Sequence, residues 1–514
     1  MQKLSSLRPT AHLVPLSEVA EVCGAHGLTG GVSVTGVCVD SRDIVPGDLF
    51  VALPGSVNGW DFAQRAVQLG AVAVLTSDEG AARLEDLGVP VLACSDPRAV
   101  AGLAAAKVHP ALAGTLLLGV TGTNGKSTTT RMLRAALENE DGHAGSIGTV
   151  GVELGGANLP SERTSLEAPL ALQLIRFAAE RGTTRLALEV SSHALVQSRT
   201  VGMRFDVVGF LNLQRDHLDY HGDMESYFDA KASLFTPEHA RQAVVCVDDQ
   251  WGRKLAQRTA GTMPLVTVST TGEPADWQAT DLTSRAGKVG LDFTLSGPGV
   301  RVACHCPIPG EHNVQNMALA LVMAVHCGFD VAACAARIES DLNVPGRMEV
   351  VQARTETRPL VVVDYAHTTD ALVEAQRALR AATPGRLLTV FGATGNRDTG
   401  KRQSMGDVVF DGSDVAIVTD DDPYDEPTDQ IRAQVIGDHP SSAATNLDEA
   451  RAATGMIEVA ERGLAIDLAL GLAQPSDTVL VAGRGHETIQ MIRGKAHHLD
   501  DRAQVREYFE RQSK

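Results

Sequence analysis

Lys126 and Ser127 stand at the end of a short turn, Thr121-Gly122-Thr123-Asn124-Gly125, and Thr128 follows them. In such a turn the backbone N–H groups and the start of the next helix face an anion. The lysine reaches the outer phosphates and the hydroxyl takes Mg²⁺. The stretch therefore predicts an ATP site. The spacing G-x-x-x-x-G-K-[ST] asks for glycine at position 120, where Val120 stands; Gly119 is one residue early. A bare Gly-Lys-Ser can also be no more than a helix cap. The apolar run Leu116–Val120 before it and the second glycine favour the phosphate loop. Two further polar clusters end apolar runs: Glu189-Val190-Ser191-Ser192-His193, and Asn212 to His221 with Asp216 and His217 inside. Glu189, Asp216 and His217 are hard or borderline ligands suited to a nucleotide-bound Mg²⁺. Lys231 lies in the next helical stretch, where a lone lysine is ordinarily solvated.

Those residues need a scaffold. A chain of 514 residues is too long for one core and predicts about three domains at ~150 residues each. The expected boundaries are 1–114, 115–344 and 345–514. A net charge of −18 argues against a nucleic-acid backbone as partner. The eight cysteines show no metal spacing and read as buried, reduced thiols. No signal peptide precedes the first domain, and the apolar tract Met317–Ala336 is broken by His326, Gly328 and Asp330, so it reads as a buried helix pair. A cytoplasmic protein without membrane insertion is expected, and a monomer.

The first segment is a small α/β module. Val32–Val39 alternates like a strand, and Asp40-Ser41-Arg42 at its end is either a ligand contact or an Asx turn. In the second segment, buried runs at Leu116–Val120, Leu186–Val190 and Val207–Leu211 place their polar ends on the ligand edge of an open parallel sheet. Lys126–Leu137 and Met224–Leu234 read as helices, Val289–Cys306 as a hairpin. The third segment repeats the device four times, at Asp364, at Gly392 to Asp398, at Thr419 to Glu426 and at Ala482 to Glu487, which predicts a doubly wound sheet.

These blocks, in this order, resemble the Mur ligases of peptidoglycan synthesis, in particular the branch that adds the third residue of the stem peptide. The resemblance covers nearly the whole chain. It rests on Asp40-Ser41-Arg42 with Pro46-Gly47-Asp48, the phosphate loop, Glu189 to His193, Arg215 to Gly222, Gly346-Arg347-Met348-Glu349, Asp364-Tyr365-Ala366-His367 and Gly485-His486-Glu487. It implies an α/β fold of three domains: a small N-terminal domain, a central parallel-sheet ATPase and a C-terminal Rossmann-like domain. It implies Val39 and Ser41 at the uridine nucleotide, and Thr164, Ser165, Ser191, Gln197 and Arg199 on the muramoyl-dipeptide arm. ATP would be held by Gly122, Thr123, Asn124, Gly125, Lys126, Ser127 and Thr128, with Asn313, Arg347 and Asp364. Mg²⁺ would be held by Ser127, Glu189 and His217, with Lys231 carbamylated and serving a second ion. Lys126, Glu189, His217 and Lys231 carry the catalytic roles. Arg397 would meet the amino acid's carboxylate, and Gly483 and Glu487 its far amino group. The reaction implied is phosphorylation of the terminal carboxylate of UDP-MurNAc-L-Ala-D-Glu, then attack by a diamino acid.

Three departures stand out. Thr164-Ser165-Leu166-Glu167 replaces Thr-Thr-Pro-Glu, and Thr369 replaces a proline. Asp421-Asp422-Pro423-Tyr424 replaces the Asp-Asn-Pro-Arg of enzymes that add meso-diaminopimelate. Tyrosine cannot supply the arginine's bidentate fork. With Asp420, Asp425 and Glu426 nearby, the loop reads as repelling a carboxylate and attracting an ammonium. L-Lysine or L-ornithine is therefore expected, with meso-diaminopimelate as the alternative. The rival readings are a folylpolyglutamate or cyanophycin synthetase, a general P-loop NTPase, and a non-catalytic scaffold that binds nucleotide without turnover.

Overall fold

The computed structural model describes residues 3–155, 157–161, 163–284, 289–396 and 399–512. The chain forms two compact units. One comprises residues 1–280, 294–304 and 315–342; the other comprises 281–293, 305–314 and 343–514.

The first unit opens with a four-stranded parallel sheet in the order Gly36–Cys38, Asp48–Val51, Ala73–Thr76, Val91–Ala93. The single strand expected at Val32–Val39 is two. Ser33–Val34 pairs antiparallel with Val14–Pro15, whereas Gly36–Cys38 runs parallel to Asp48–Val51, so the stretch changes sheets at Thr35. Asp48, the first residue of the second of these strands, is fully buried, and the Arg8 guanidinium grips both its oxygens at 2.9 and 3.0 Å.

The same unit holds the large sheet. Its working part runs His143–Gly148, Thr183–Glu189, Leu116–Thr121, Phe205–Phe210, Ala240–Cys246, all parallel. Leu118 and Val120 are fully buried, as a strand covered on both faces by helices must be. Each such side chain contributes roughly 1.5–3 kcal/mol on burial. The register matters more than the energy. Glu189 pairs with Val120, and Phe210 with Thr121, so three strand ends lie side by side at the phosphate loop. The helices read at Lys126–Leu137 and from Met224 are present, the latter ending at Ala232.

In the second unit a seven-stranded sheet runs Glu349–Gln352, Leu360–Asp364, Thr478–Ala482, Leu387–Phe391, Val415–Val418, Met456–Glu458, Ser441–Ala443. Every pairing is parallel except that of the first strand. Thr478–Ala482, late in the chain, fills the gap between Leu360–Asp364 and Leu387–Phe391. This gap is the switch point where an open sheet offers its ligand crevice. A hairpin, Ile489–Ile492 with Lys495–His498, follows and was not foreseen from the sequence. No described helix is long and apolar enough to cross a membrane.

Candidate active site

The phosphate loop is built on a glycine that cannot be replaced. Gly125 caps the helix Lys126–Leu137 at φ +87, and a Cβ there would stand 2.1 Å from Asn316 Oδ1. Ser127 and Thr128 are buried at the helix start. Lys126 Nζ donates to the Gly122 carbonyl at 2.9 Å and to the Thr123 carbonyl at 2.8 Å. Thr123 Oγ1 meets the Tyr227 hydroxyl at 3.2 Å.

Lys231 is the residue whose surroundings contradict its bland reading. It is 1% exposed, its Nζ donates to the same Gly122 carbonyl at 2.8 Å, and among the described residues no carboxylate forms an ion pair with it. Burial, then the charge of Lys126, push its amine well below the ordinary lysine value.

Glu189 is 3% exposed. The carboxylate accepts Thr149 N–H at 2.8 Å and lies 3.1 Å from the Thr149 hydroxyl. Thr149 was missed because nothing in its local pattern marks it; only the strand pairing brings it to Glu189. His217 is less firmly set. Its ring is about half exposed, 3.4 Å from Asp216 and edge-on to His193 at 4.9 Å. Its backbone is left-handed, at φ 53. Ser198, Asp281, Met348, Asn396, Tyr424 and Arg493 share that conformation, and Ser198, Met348, Asn396 and Tyr424 lie in or beside the motif blocks. Such strain, about 1–3 kcal/mol each, persists where surrounding structure enforces it, typically at functional sites.

The arm residues form one network. Ser165 Oγ donates to the Glu189 carbonyl at 2.8 Å and lies 3.2 Å from Ser191 Oγ. Arg199 reaches the Ser165 carbonyl at 3.1 Å and Gln197 Oε1 at 2.5 Å. Thr164 Oγ1 is 3.0 Å from Thr149 Oγ1. In the N-terminal sheet Arg42 N–H donates to Asp40 Oδ1 at 2.9 Å, which is the Asx turn, with Ser41 buried at its tip and Val39 half-buried beside it.

In the second unit Asp364 accepts Met348 N–H at 2.7 Å and Ala366 N–H at 2.9 Å. Arg347 lies 4.4 Å over the Tyr365 ring. Asn313 is buried, its amide donating to the Pro309 carbonyl at 2.7 Å. Arg397 lies outside the described residues. Gly483 N–H donates to the Asp364 carbonyl at 3.1 Å. Glu487 takes a hydrogen bond from Tyr365 at 3.3 Å, with Arg484 at 3.9 Å. Burial pushes its carboxyl up to about 7; Asp421 and Asp422 push the same way, against Arg484.

The acidic loop requires a correction. Arg484, fully buried, pairs with Asp422 at 2.8 Å and with Asp421 at 3.4 Å. Arg432 pairs with Asp420, and Arg402 with Glu426 at 2.8 Å. Asp425 is left with the Asn396 amide at 3.3 Å. Three arginines thus answer four of the loop's five acids, which weakens the repulsion of a carboxylate expected from the sequence. The sequence reading counted the acids and overlooked the arginines, which come from distant strands and helices. Pro423 is buried and Tyr424 half-buried, its N–H donating to the Met491 carbonyl at 3.1 Å. Arg493 N–H donates back to the Tyr424 carbonyl at 2.6 Å. Among the described residues the Arg493 guanidinium has no partner, and the residue is exposed.

Among the described residues no three His, Cys, Asp or Glu side chains converge as a metal cage. Mg²⁺ does not need one, since it keeps several waters and takes phosphate oxygens alongside one or two carboxylates. Ser127 and the remaining lone pairs of Glu189 fit that role.

The chain matches three family models: Mur ligase family, catalytic domain (residues 33–124), Mur ligase middle domain (120–324) and Mur ligase, glutamate ligase domain (346–485). It is 42% identical over 500 residues to the UDP-N-acetylmuramoyl-L-alanyl-D-glutamate–2,6-diaminopimelate ligase of Streptomyces coelicolor, covering 96% of both chains. This chain belongs to the Mur ligase family. It is an ATP-dependent ligase of that family, with the α/β architecture of its three domains. A Xanthomonas campestris ligase of the same name is 40% identical, over 93% of this chain and 94% of that one. The UDP-N-acetylmuramyl-tripeptide synthetase of Leifsonia xyli is 38% identical, over 96% and 95%. A solved 2,6-diaminopimelate ligase structure superposes with a TM-score of 0.65 at 32% identity, covering 94% of this chain and 96% of that one. A Thermotoga maritima MurF ligase in complex with ADP shares the fold at a TM-score of 0.61 and 19% identity, over 93% and 97%.

Proposed function

We propose that this Mur ligase joins the terminal carboxylate of UDP-N-acetylmuramoyl-L-alanyl-D-glutamate to an amino group of 2,6-diaminopimelate, as a cytoplasmic monomer using Mg²⁺. The observation that carries the reading is the convergence of the phosphate loop and Glu189 at adjacent strand ends, with Lys231 bonded to Gly122 from the helix Met224–Ala232 and the Thr164-to-Arg199 network beside Glu189. Residues 1–114 would hold the uridine nucleotide, 115–344 ATP and the peptide arm, and 345–514 the amino acid.

The terminal carboxylate oxygen attacks the γ-phosphorus of ATP, and ADP leaves. The amine attacks the carbonyl carbon of the acyl phosphate; inorganic phosphate leaves and the amine gives up a proton. Lys126 faces the moving phosphoryl group, and Ser127 and Glu189 would hold Mg²⁺, which neutralises phosphate charge when bound. His217 and a carbamylated Lys231 would complete the metal site. Arg199 and Gln197 orient the dipeptide arm.

For the amine, two observations favour diaminopimelate. The Streptomyces and Xanthomonas relatives carry that substrate in their names. Asp421 and Asp422 share a buried arginine, Arg484, and Arg493, whose guanidinium has no partner among the described residues, is bonded through its backbone to Tyr424. Lysine or ornithine is the second reading, favoured by Tyr424 where an arginine fork is expected. Purified protein with ATP, Mg²⁺ and the UDP-dipeptide should release phosphate with meso-diaminopimelate, and Arg493→Ala should raise the KM for it about tenfold or more. Release with lysine or ornithine alone rejects the diaminopimelate reading. ATP binding without release for any amine supports the scaffold and rejects the ligase.

Glu487 gives a pH prediction. Only its ionised form attracts the far ammonium, and its carboxyl titrates near 7. The KM for the amino acid should therefore fall as pH rises toward 7, by about tenfold per unit on the acid side, and level off above. Glu487→Gln should flatten that profile.

A further inference from the structure

Thr149 sits in the turn between His143–Gly148 and Gly151–Leu154, and it touches two parts of the site at once. Its N–H and hydroxyl both face the Glu189 carboxylate, at 2.8 Å from Oε1 and 3.1 Å from Oε2. The same hydroxyl lies 3.0 Å from Thr164 Oγ1. The approach is close by construction: a Cβ on Gly148 would stand 2.0 Å from Glu189 Oε1. Thr164 is anchored next door, because Ser165 Oγ donates to the Glu189 carbonyl.

A hydroxyl has one proton and can donate to one partner at a time. The single Thr149 proton has two acceptors within reach, Glu189 Oε2 at 3.1 Å and Thr164 Oγ1 at 3.0 Å, and serves one at a time. When an anionic oxygen on the peptide arm takes the Thr164 proton, Thr164 Oγ1 becomes the better acceptor of the two. The Thr149 proton is then free to turn to Thr164, and Glu189 Oε2 is released.

We propose that Thr149 is a positioning residue that couples occupancy of the peptide-arm site at Thr164 to the availability of Glu189 as a metal ligand. The inference rests on the reading of Glu189 as metal ligand and Thr164 as arm contact. No atom of the metal enters the relay; it consists of two hydroxyls and one carboxylate of this chain.

The test is a binding measurement. Mn²⁺ affinity is followed by electron paramagnetic resonance in the full chain with a non-hydrolysable ATP analogue, with and without UDP-N-acetylmuramoyl-L-alanyl-D-glutamate. In the wild type the UDP-dipeptide should tighten Mn²⁺ about fivefold, the value of one hydrogen bond. Thr149→Val and Thr164→Val should each reduce that ratio to about one, and Thr149→Ser should restore it. Thr149→Ser also guards against a fold defect in the valine variant. Retention of the full ratio in Thr149→Val overturns the relay, as does its loss in Thr149→Ser. Glu189→Gln separates the two levels. If it binds Mn²⁺ as the wild type does, the metal reading itself falls. If it loses Mn²⁺ while Thr149→Val keeps the coupling, only the relay falls.

Discussion

Lys231→Ala is expected to lower kcat by about 1,000-fold, roughly 4 kcal/mol of transition-state stabilisation. The size follows from where the residue sits. Its ammonium would be fully buried with a second lysine close by and only the weaker counter-pull of Asp216, a state that burial strongly disfavours. The neutral amine can instead attack carbon dioxide, lose a proton and become a carbamate. A buried cation held only by the Gly122 carbonyl and the Tyr227 ring would thereby be exchanged for an anionic oxygen ligand beside the phosphate loop. Alanine leaves a cavity of the right kind for a small carboxylate. Added formate or acetate should therefore return part of the rate to Lys231→Ala, whereas bicarbonate should not, since no amine remains to react. A variant that turns over at the wild-type rate without additives would remove Lys231 from the mechanism.

Arg484→Leu should have the largest effect in the second unit. Arg484 is fully buried, with Asp421 4% and Asp422 11% exposed at their side chains. Removing the cation leaves two carboxylates buried and unmatched, at a cost of about 3–5 kcal/mol. Hydrogen exchange should report it as faster opening of Val415–Val418 and the loop behind it. Adding Asp422→Asn should recover part of the loss. The same change tests substrate choice. With the loop stripped of its cation, the KM for diaminopimelate should rise more than that for lysine, because only the former brings a second carboxylate. Equal changes for both would separate the loop from specificity.

Much of the site was legible because its parts are local. The phosphate loop, the helix start at Lys126 and the runs ending at Glu189 and Asp364 are strand–turn–helix units whose residues are consecutive. What escaped was set by pairing across the sheet or between distant segments. Thr149 reaches Glu189 through the register of neighbouring strands, and Arg402, Arg432 and Arg484 reach the acidic loop from elements up to 63 positions away. Local composition therefore overstated the negative charge that the loop presents. The burial of Lys231 was likewise invisible, since the spacing of Met224–Ala232 alone does not say which face the sheet covers.

The carbonyl of Gly122 accepts from both Lys126 and Lys231. Nucleotide capture is then an exchange reaction, in which Lys126 gives up an internal acceptor for a phosphate oxygen. Each exchange returns only the difference between two hydrogen bonds, so a lone inorganic phosphate gains little from it. A triphosphate, which also engages the loop's N–H groups, gains enough. A loop so built would favour a triphosphate over the lone phosphate that the proposed reaction releases.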